Sequence, residues 1–568
     1  MREQTQSEFL HLPFQEKLEF LYGLPARQKR DLILSAPEAE RLVQSFAPET
    51  LFYTLKEIGS ADAGDLLSMA APEQIKGLFD LDCWNKDRVN LRRMREWIEA
   101  MSEAGRRRAA QALMELDIEL VTLLLRGYLK VYLLSEVQAA LDVPSHRVVQ
   151  FDEHYAVEFI RYDNILPFLQ EILEEMFERD YDYFSSLMDE IYWGVDAELE
   201  EQAYQYRIAR LNDRGFPDFF EAQSVFGYLN PRQFDQIRRT YAPPNREDEL
   251  QEESQIDMAM MPPGADSSLF NAALTAGFAA QGKRHIRTEM ALVANQVLVA
   301  RAVDFGDPEA VREAIELTHH YLNLGLEHLA GGDLKTAIDY LRDTHLKLLL
   351  RLGVSLTIDL RKRAEALVTS LGFPAGKVGS ISYLDSPYRE ALEGLLLNAP
   401  RFYGGLDRQP SVVMRDFREM RDLHVAHGVL GQLEAMAPLF KELLEIDITS
   451  AAFRTQMAGR EIRLSQILLT ALVNQALDST LTPAPLAASR LSDVRRTVMT
   501  AGRPARLTED FRQRANAALE RRLEQGPLKR TEDFVRSCLS MLEEEFSELD
   551  PSAPIDPRYI RSILLRRD

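Results

Sequence analysis

One helical stretch carries residue types that could bind a metal ion. Glu316 and His319 follow the Glu-x-x-His spacing, which places both side chains on one face of a helix, as in di-iron carboxylate bundles. Asp343 follows in the next predicted helix, and His424 comes later in the same half of the chain. Seven of the ten histidines fall between residues 285 and 427. We therefore take Glu316, His319, Asp343 and His424 as a candidate metal site.

Other features of the sequence argue against a catalytic role for these residues. A di-iron site needs a second Glu-x-x-His and further inward-facing glutamates, and the sequence has no second copy. It also has no His-Glu-x-x-His, no Gly-x-Ser-x-Gly, no Gly-x-Gly-x-x-Gly and no complete P-loop. Isolated histidines at the surface or at helix ends are the alternative explanation. The sequence leaves any cofactor unknown, and whether the chain is an enzyme stays open.

The charge of the chain is strongly acidic and unevenly distributed. A formal net charge of −22 argues against nonspecific binding to nucleic acid or to an anionic membrane. Residues 151–200 hold 15 Asp and Glu against 2 Arg. Aromatic residues from Tyr181 to Trp193 are interleaved with these carboxylates, a composition that suits a protein-binding surface, although the same rings could form a local core.

The basic end of the chain offers a different hypothesis. Residues 451–568 hold 19 Lys and Arg against 16 Asp and Glu, so this end could contact nucleic acid. The arginines mix with glutamates at helical spacing, which favours a surface of salt bridges instead. We therefore expect no nucleic-acid partner.

Cysteine content and hydropathy indicate the compartment. Cys83 and Cys538 are too few for a disulfide framework or a cysteine zinc site, which favours a reducing environment. The polar N-terminus has no signal-peptide pattern. The most apolar run, 118–134, contains Glu119, Arg126 and Lys130, so we interpret it as a core helix rather than a membrane span. These features predict a cytoplasmic protein with no membrane partner.

The first 140 residues predict a repeat of short helices. Ala36-Pro37-Glu38 recurs as Ala47-Pro48-Glu49 and Ala71-Pro72-Glu73, with Ser60-Ala61-Asp62 in the remaining position. Proline followed by a carboxylate is typical of a helix start. Helices of two or three turns are unstable alone, so we expect them to stack. Residues 24–82 resemble the cytosolic superhelical domain of bacterial magnesium channels, which implies a packing and regulatory module without catalysis.

Three further segments complete the predicted architecture. Residues 147–151 and 155–160 alternate with period two and predict a β-hairpin within a region, 141–241, that is otherwise acidic and helical. Residues 242–268 combine proline pairs with an acidic run and predict an exposed linker. Residues 269–568 show helical patterns joined by short turns. The predicted fold is mainly α, with an N-terminal short-helix superhelical repeat, a small β-hairpin element and a C-terminal all-helical bundle.

Three sequence segments resemble those of an uncharacterised bacterial family that is classed only as a domain of unknown function. They are F-D-L-D-C-W-N-K-D-R (79–88), R-L-N-D-R-G-F-P-D-F-F-E-A (210–222) and Y-L-D-S-P-Y-R-E-A-L-E-G (383–394). The resemblance implies no activity or substrate. From the residues alone, we expect a non-enzymatic helical scaffold or adaptor that binds another protein. The alternative is a metal-binding enzyme or sensor with its site at the four residues named first.

Overall fold

The structure is a computed structural model, and its elements are mainly α-helices. It describes residues 2–22, 24–59, 64–101, 105–134, 148–161, 165–245, 268–371, 383–407, 410–457, 462–502, 504–523, 530–550 and 554–566.

The helices of the first half are α1 (Arg2–His11), α2 (Phe14–Tyr22), α3 (Ala26–Ser35), α4 (Ala39–Gln44), α5 (Pro48–Ile58), α6 (Gly64–Leu67), α7 (Pro72–Asp82), α8 (Leu91–Met101), α9 (Arg106–Met114), α10 (Ile118–Arg126), α11 (Leu166–Arg179), α12 (Tyr181–Trp193), α13 (Asp196–Asp213), α14 (Phe219–Gln223) and α15 (Phe234–Arg238). Those of the second half are α16 (Leu269–Gly277), α17 (Ala280–Ala300), α18 (Pro308–Ala330), α19 (Leu334–Asp343), α20 (Leu346–Ser370), α21 (Tyr388–Leu395), α22 (Met420–Leu444), α23 (Ala451–Met457), α24 (Leu464–Asp478), α25 (Leu491–Val498), α26 (Glu509–Leu523) and α27 (Glu532–Ser547). The strands are β1 (Trp84–Asn85), β2 (Arg88–Val89), β3 (Leu129–Leu133), β4 (Val148–Gln150), β5 (Tyr155–Phe159), β6 (Phe402–Tyr403) and β7 (Met414–Arg415).

The contacts divide the chain into two compact units. Unit 1 contains Met1–Gly227, Asp235–Leu322 and Leu329–Arg351, and unit 2 contains Tyr228–Phe234, Asn323–His328 and Leu352–Asp568. This division differs from the predicted segments 1–140, 141–241 and 269–568, because α17 packs against α14 within unit 1. The predicted linker lies mostly outside the described residues, and whether the predicted segments fold independently stays a prediction.

Short helices of unit 1 stack through buried side chains, as the repeat predicts. Proline begins α5 and α7, whereas α4 begins two residues after Pro37. Gln74 is buried and donates hydrogen bonds of 2.8 and 2.7 Å to the carbonyl oxygens of Val43 and Phe46. The same side chain accepts the N–H of Ala71 at 2.8 Å, so one glutamine both caps α7 and joins it to the end of α4. Residues 60–63, which include the Ser60-Ala61-Asp62 position of the repeat, lie outside the described residues.

A three-stranded antiparallel sheet lies beside these helices. The predicted hairpin is confirmed as β4 and β5, and β5 is the central strand because it also pairs with β3, from Leu129 opposite Phe159 to Leu133 opposite Tyr155. The prediction of one core helix over 118–134 is therefore wrong in its second half. Helix α10 ends at Arg126, and the apolar residues that follow satisfy their backbone groups through β5 instead of a further helical turn.

Unit 2 is mainly helical and contains a two-stranded ladder formed by β6 and β7. Arg415 on β7 donates hydrogen bonds to both carboxylate oxygens of Asp407 and of Asp422, at 2.7 to 2.9 Å. Asp422 is fully buried in the first turn of α22, so this arginine joins the ladder to the helix start. The mainly α fold class is as predicted, and no helix in the described ranges combines the length and the apolar run that a bilayer crossing requires.

Candidate functional site

A cleft of about 650 Å³ opens in unit 1. Its walls come from segments far apart in sequence: the β1–β2 hairpin, the start of α8, the second half of α13 with α14, and the loop after α17. Aromatic rings and charged groups line it together, namely Trp84, Tyr204, Phe216, Phe219, Phe220 and Phe305 with Lys86, Asp87, Arg93, Arg207 and Asp304. Small-molecule sites in proteins typically have this size and this mixture of apolar walls with a few polar groups.

Arg207 is the buried cation of the cleft. Its side chain lies over the Trp84 ring, with 5.2 Å between the guanidinium carbon and the ring centroid, and the residue is only 8% exposed. Nε donates to the carbonyl oxygen of Asp80 at 2.7 Å, and Nη1 lies 3.5 Å from the carbonyl oxygen of Lys86. Burial lowers the pKa of Arg207 to about 10, so the group remains charged at neutral pH.

Two carboxylates on neighbouring elements position the helix that carries Arg207. Arg210, one turn further along α13, donates hydrogen bonds of 2.7 to 3.0 Å to both oxygens of Asp80 and of Asp117. Asp80 is on α7 and Asp117 directly precedes α10, so one guanidinium joins three helices. Bidentate contacts of this kind fix direction as well as distance, and they set the register of α13 at the cleft.

The β1–β2 hairpin places a second cation at the cleft. Lys86 begins the two-residue turn between Asn85 and Arg88 and has a φ of 61°, a left-handed conformation that is unfavourable for a residue with a Cβ. Its side chain is exposed, and none of the described residues forms an ion pair with its ammonium group. Unusual backbone conformations of this kind are concentrated at functional sites.

The loop after α17 forms the opposite wall. Arg93 on α8 donates bidentate hydrogen bonds of 2.7 and 2.6 Å to Asp304, and its Nη1 lies 3.1 Å from Oδ1 of the buried Asp82. Gly306 is the residue that permits this approach, because a Cβ there would lie 2.0 Å from the same Asp82 oxygen. Phe305 follows Asp304 and packs edge-on against Phe216, with 5.3 Å between the ring centroids.

A second candidate site is the exposed turn between α12 and α13. Trp193 is 63% exposed and Val195 is 54% exposed. Exposed carboxylates of Asp189, Asp196 and Glu198 lie beside them in the chain, and we call these five residues the Trp193 surface.

The backbone that carries the Trp193 surface is held by a single arginine. Arg126, at the end of α10, donates hydrogen bonds to three carbonyl oxygens of the turn: Glu190 at 3.1 Å, Ile191 at 2.8 Å and Gly194 at 2.6 Å. Its Nη1 forms an ion pair with Asp196. The guanidinium thus satisfies the last carbonyl groups of α12 and fixes the turn, so Trp193 is exposed on a rigid support.

The residues of the predicted metal site have different surroundings. Glu316 is exposed on α18, whereas His319 on the same helix is buried, with its ring 5.5 Å from Phe270. Asp343 is exposed at the end of α19, and His424 is exposed on α22 in unit 2. Within the described part of the chain, no three His, Cys, Asp or Glu side chains group closely enough to hold a metal ion. The metal site stays a prediction.

The cleft has no clear signal in the local sequence. Cys83 is fully buried and Trp84 is 6% exposed beside it. A tryptophan that lines a cleft from a buried position has the same local sequence signal as a core tryptophan. The sequence feature that could have indicated the cleft is the pair of segments 79–88 and 210–222, because they supply much of the cleft lining.

Comparison with known proteins gives a family. Residues 6–566 match the model described as "Family of unknown function (DUF6178)". The chain belongs to this family. No curated protein and no solved structure matches it, so the resemblance of the N-terminal repeats to magnesium channels has no support. The expectation of an uncharacterised family is confirmed, with a match that covers nearly the whole chain.

Proposed function

We propose that this member of the DUF6178 family is a non-enzymatic cytoplasmic adaptor that binds a basic segment of a partner protein at the Trp193 surface. The observation that carries the proposal is the 63% exposed Trp193 on a turn that Arg126 holds through three carbonyl groups. An exposed indole on a backbone that is already held loses little conformational entropy on binding, and tryptophan is enriched among the residues that dominate binding energies.

Charge complementarity supports a basic partner. Residues 151–200 carry 15 acidic residues against 2 arginines, and the Trp193 surface itself includes the exposed carboxylates of Asp189 and Glu198 besides Asp196, which is paired with Arg126. A lysine or arginine side chain can lie over an indole face while flanking carboxylates neutralise neighbouring cations. An acidic surface of this kind also repels nucleic acid and anionic lipid, which favours a protein partner.

The cysteines support the cytoplasmic location in this proposal. Cys83 and Cys538 are both free thiols and both buried, as is ordinary for a protein that folds in a reducing compartment. Burial raises the pKa of each thiol well above its usual range, so neither is poised as a nucleophile.

The test is selection of binders from a random peptide library displayed on phage, with the purified full chain as bait. The matched variants are Trp193→Ala and Tyr241→Ala, because Tyr241 is a 49% exposed aromatic outside the Trp193 surface. We expect enrichment of peptides rich in Lys and Arg on the wild type and on Tyr241→Ala, and loss of that enrichment on Trp193→Ala.

Two results would contradict the proposal. One is the absence of any enriched sequence class on the wild-type chain. The other is enrichment of the same peptides on Trp193→Ala, which would show that the indole is not part of the binding site.

A further inference from the structure

The cleft of unit 1 shares no residue with the Trp193 surface and has a different chemistry. Arg93 pairs with Asp304 and with the buried Asp82 behind the lining, and among the other charged lining residues Lys86 and Arg207 outnumber Asp87. The cleft therefore has a local excess of positive charge in a chain whose net charge is −22. Local cations in a partly enclosed cleft attract anions even when the rest of the surface does not.

Arg207 is poised to bind a further acceptor. Its described hydrogen bonds go to two backbone carbonyl groups, one of them at the long distance of 3.5 Å, and none of them uses Nη2. A buried guanidinium with an unused N–H edge forms much stronger hydrogen bonds to a carboxylate or phosphate than to a neutral acceptor. A second donor with no acceptor among the described residues is Trp84 Nε1, which is buried in the same wall.

The other walls of the cleft are suited to a flat ring. The Tyr204 ring is 5.9 Å from the Trp84 ring, and the Phe216 and Phe305 rings pack edge-on against each other. Aromatic walls bind planar groups through stacking and edge contacts. A volume of about 650 Å³ is large enough for a small organic molecule and too small for a folded segment of protein.

We infer that the cleft binds a small organic anion with a flat ring, whose carboxylate or phosphate lies between Lys86 and Arg207. The ring occupies the aromatic part of the cleft. This inference does not depend on the proposed adaptor function. The anion would bind at a site separate from the Trp193 surface, which is elsewhere in the same unit.

The experiment uses two fluorescent probes that differ in charge. 1-Anilinonaphthalene-8-sulfonate carries one sulfonate, and N-phenyl-1-naphthylamine has the same ring system without it. Each is titrated into the full chain as the wild type, Lys86→Gln and Lys335→Gln. Lys335 is exposed on α19 outside the cleft lining, so Lys335→Gln removes the same charge as Lys86→Gln but away from the cleft. Because Lys86 is also exposed, Lys86→Gln leaves the core intact.

We expect the sulfonate probe to bind at one saturable site and to bind the wild type more tightly than the neutral probe does. Lys86→Gln should weaken binding of the sulfonate probe by about three- to fivefold, the range expected for a partly exposed ion pair. The affinity for the neutral probe should stay unchanged. Lys335→Gln should change neither. Equal affinity for both probes, or a sulfonate affinity that Lys86→Gln does not lower, would overturn the inference.

Competition separates the two kinds of acid group. Benzoate and phenyl phosphate are added to the complex of the sulfonate probe, with benzamide as the neutral control. Displacement by benzoate alone identifies a carboxylate site, and displacement by phenyl phosphate alone identifies a phosphate site. Displacement by benzamide at the same concentration as the anions, or by none of the three, would contradict an anion site.

Discussion

The ion pair between Arg93 and Asp304 shows how single side chains set the shape of the cleft. Arg93 lowers the pKa of Asp304 below its usual value of 3.8 by donating hydrogen bonds to it, and the N–H of Gly306 adds a further bond of 2.9 Å. A carboxylate with a lowered pKa stabilises the folded state above its unfolded pKa. That contribution is lost as the pH falls through the lowered value.

Asp304→Asn therefore should lower the stability of unit 1 at pH 7, by about 0.5–1 kcal/mol because the carboxylate is half exposed and screened by solvent. The difference from the wild type should begin to shrink as the pH falls below 3.8, where the unfolded chain binds the proton, and disappear below the lowered pKa, where the folded wild-type carboxyl group is protonated as well. Urea unfolding at a series of pH values measures the stability difference at pH 7 and its loss in acid. Asp339→Asn, which removes an exposed carboxylate 3.7 Å from Arg342, is the control that should have no measurable effect. A difference that persists unchanged into acid would contradict this account.

At the scale of elements, the loop after α17 reaches the start of α8 because Gly306 has no side chain. A Cβ at this position would lie 2.0 Å from Asp82 Oδ1 and 2.7 Å from Arg93 Nη1, and Asp82 is buried and cannot move freely. The wall of the cleft thus depends on one glycine as well as on the ion pair beside it.

Gly306→Ala is expected to lower the free energy of unfolding by about 1–3 kcal/mol, the usual cost of forcing atoms into a packed contact. Gly428→Ala is the matched control, because Gly428 is inside α22 and a Cβ there would have no neighbour within 4 Å. That change should stabilise the chain by about 0.5–1 kcal/mol through helix propensity. Urea denaturation curves of the two variants test the contrast. Equal effects of the two substitutions would refute the close approach at Gly306.

The turn that carries Trp193 depends on a residue from another helix. Arg126→Leu should raise the hydrogen-exchange rates of amides in residues 190–196 by about tenfold, because charge-assisted bonds to the end of α12 are lost. Arg92→Leu is the control, since Arg92 is an exposed arginine with a single i,i+4 partner, Glu96. Mass spectrometry of peptic fragments measures the exchange. Unchanged rates in Arg126→Leu would show that the turn is rigid without the arginine.

Local sequence patterns predict some elements correctly and others not. Local signals were enough for α5 and α7, which begin with proline, and for the β4–β5 hairpin, whose two strands are close in sequence. They were not enough for β3. Its apolar residues fit a helix or a strand equally well, and the choice is made by pairing with Tyr155–Phe159, more than twenty residues later.

At the scale of the whole molecule, sequence patterns predict the mainly α fold class but not where the sites lie. The acidic charge and the aromatic residues from Tyr181 to Trp193 suited a protein-binding surface, and a local core was the alternative. The cleft could not be predicted, because Lys86, Arg207 and Asp304 meet only when distant segments pack together. Residues that are scattered along one sequence give no periodic or spacing signal, so their grouping is a property of the tertiary structure.

The most direct test of the adaptor function is the affinity of an enriched basic peptide for the wild type and for Trp193→Ala, measured by calorimetry at about 50 and about 300 mM salt. The account predicts that Trp193→Ala weakens binding by about thirtyfold or more, as for a central aromatic anchor, and that wild-type binding also weakens as salt rises. Affinity that is the same for both proteins, or that does not depend on salt, would contradict it.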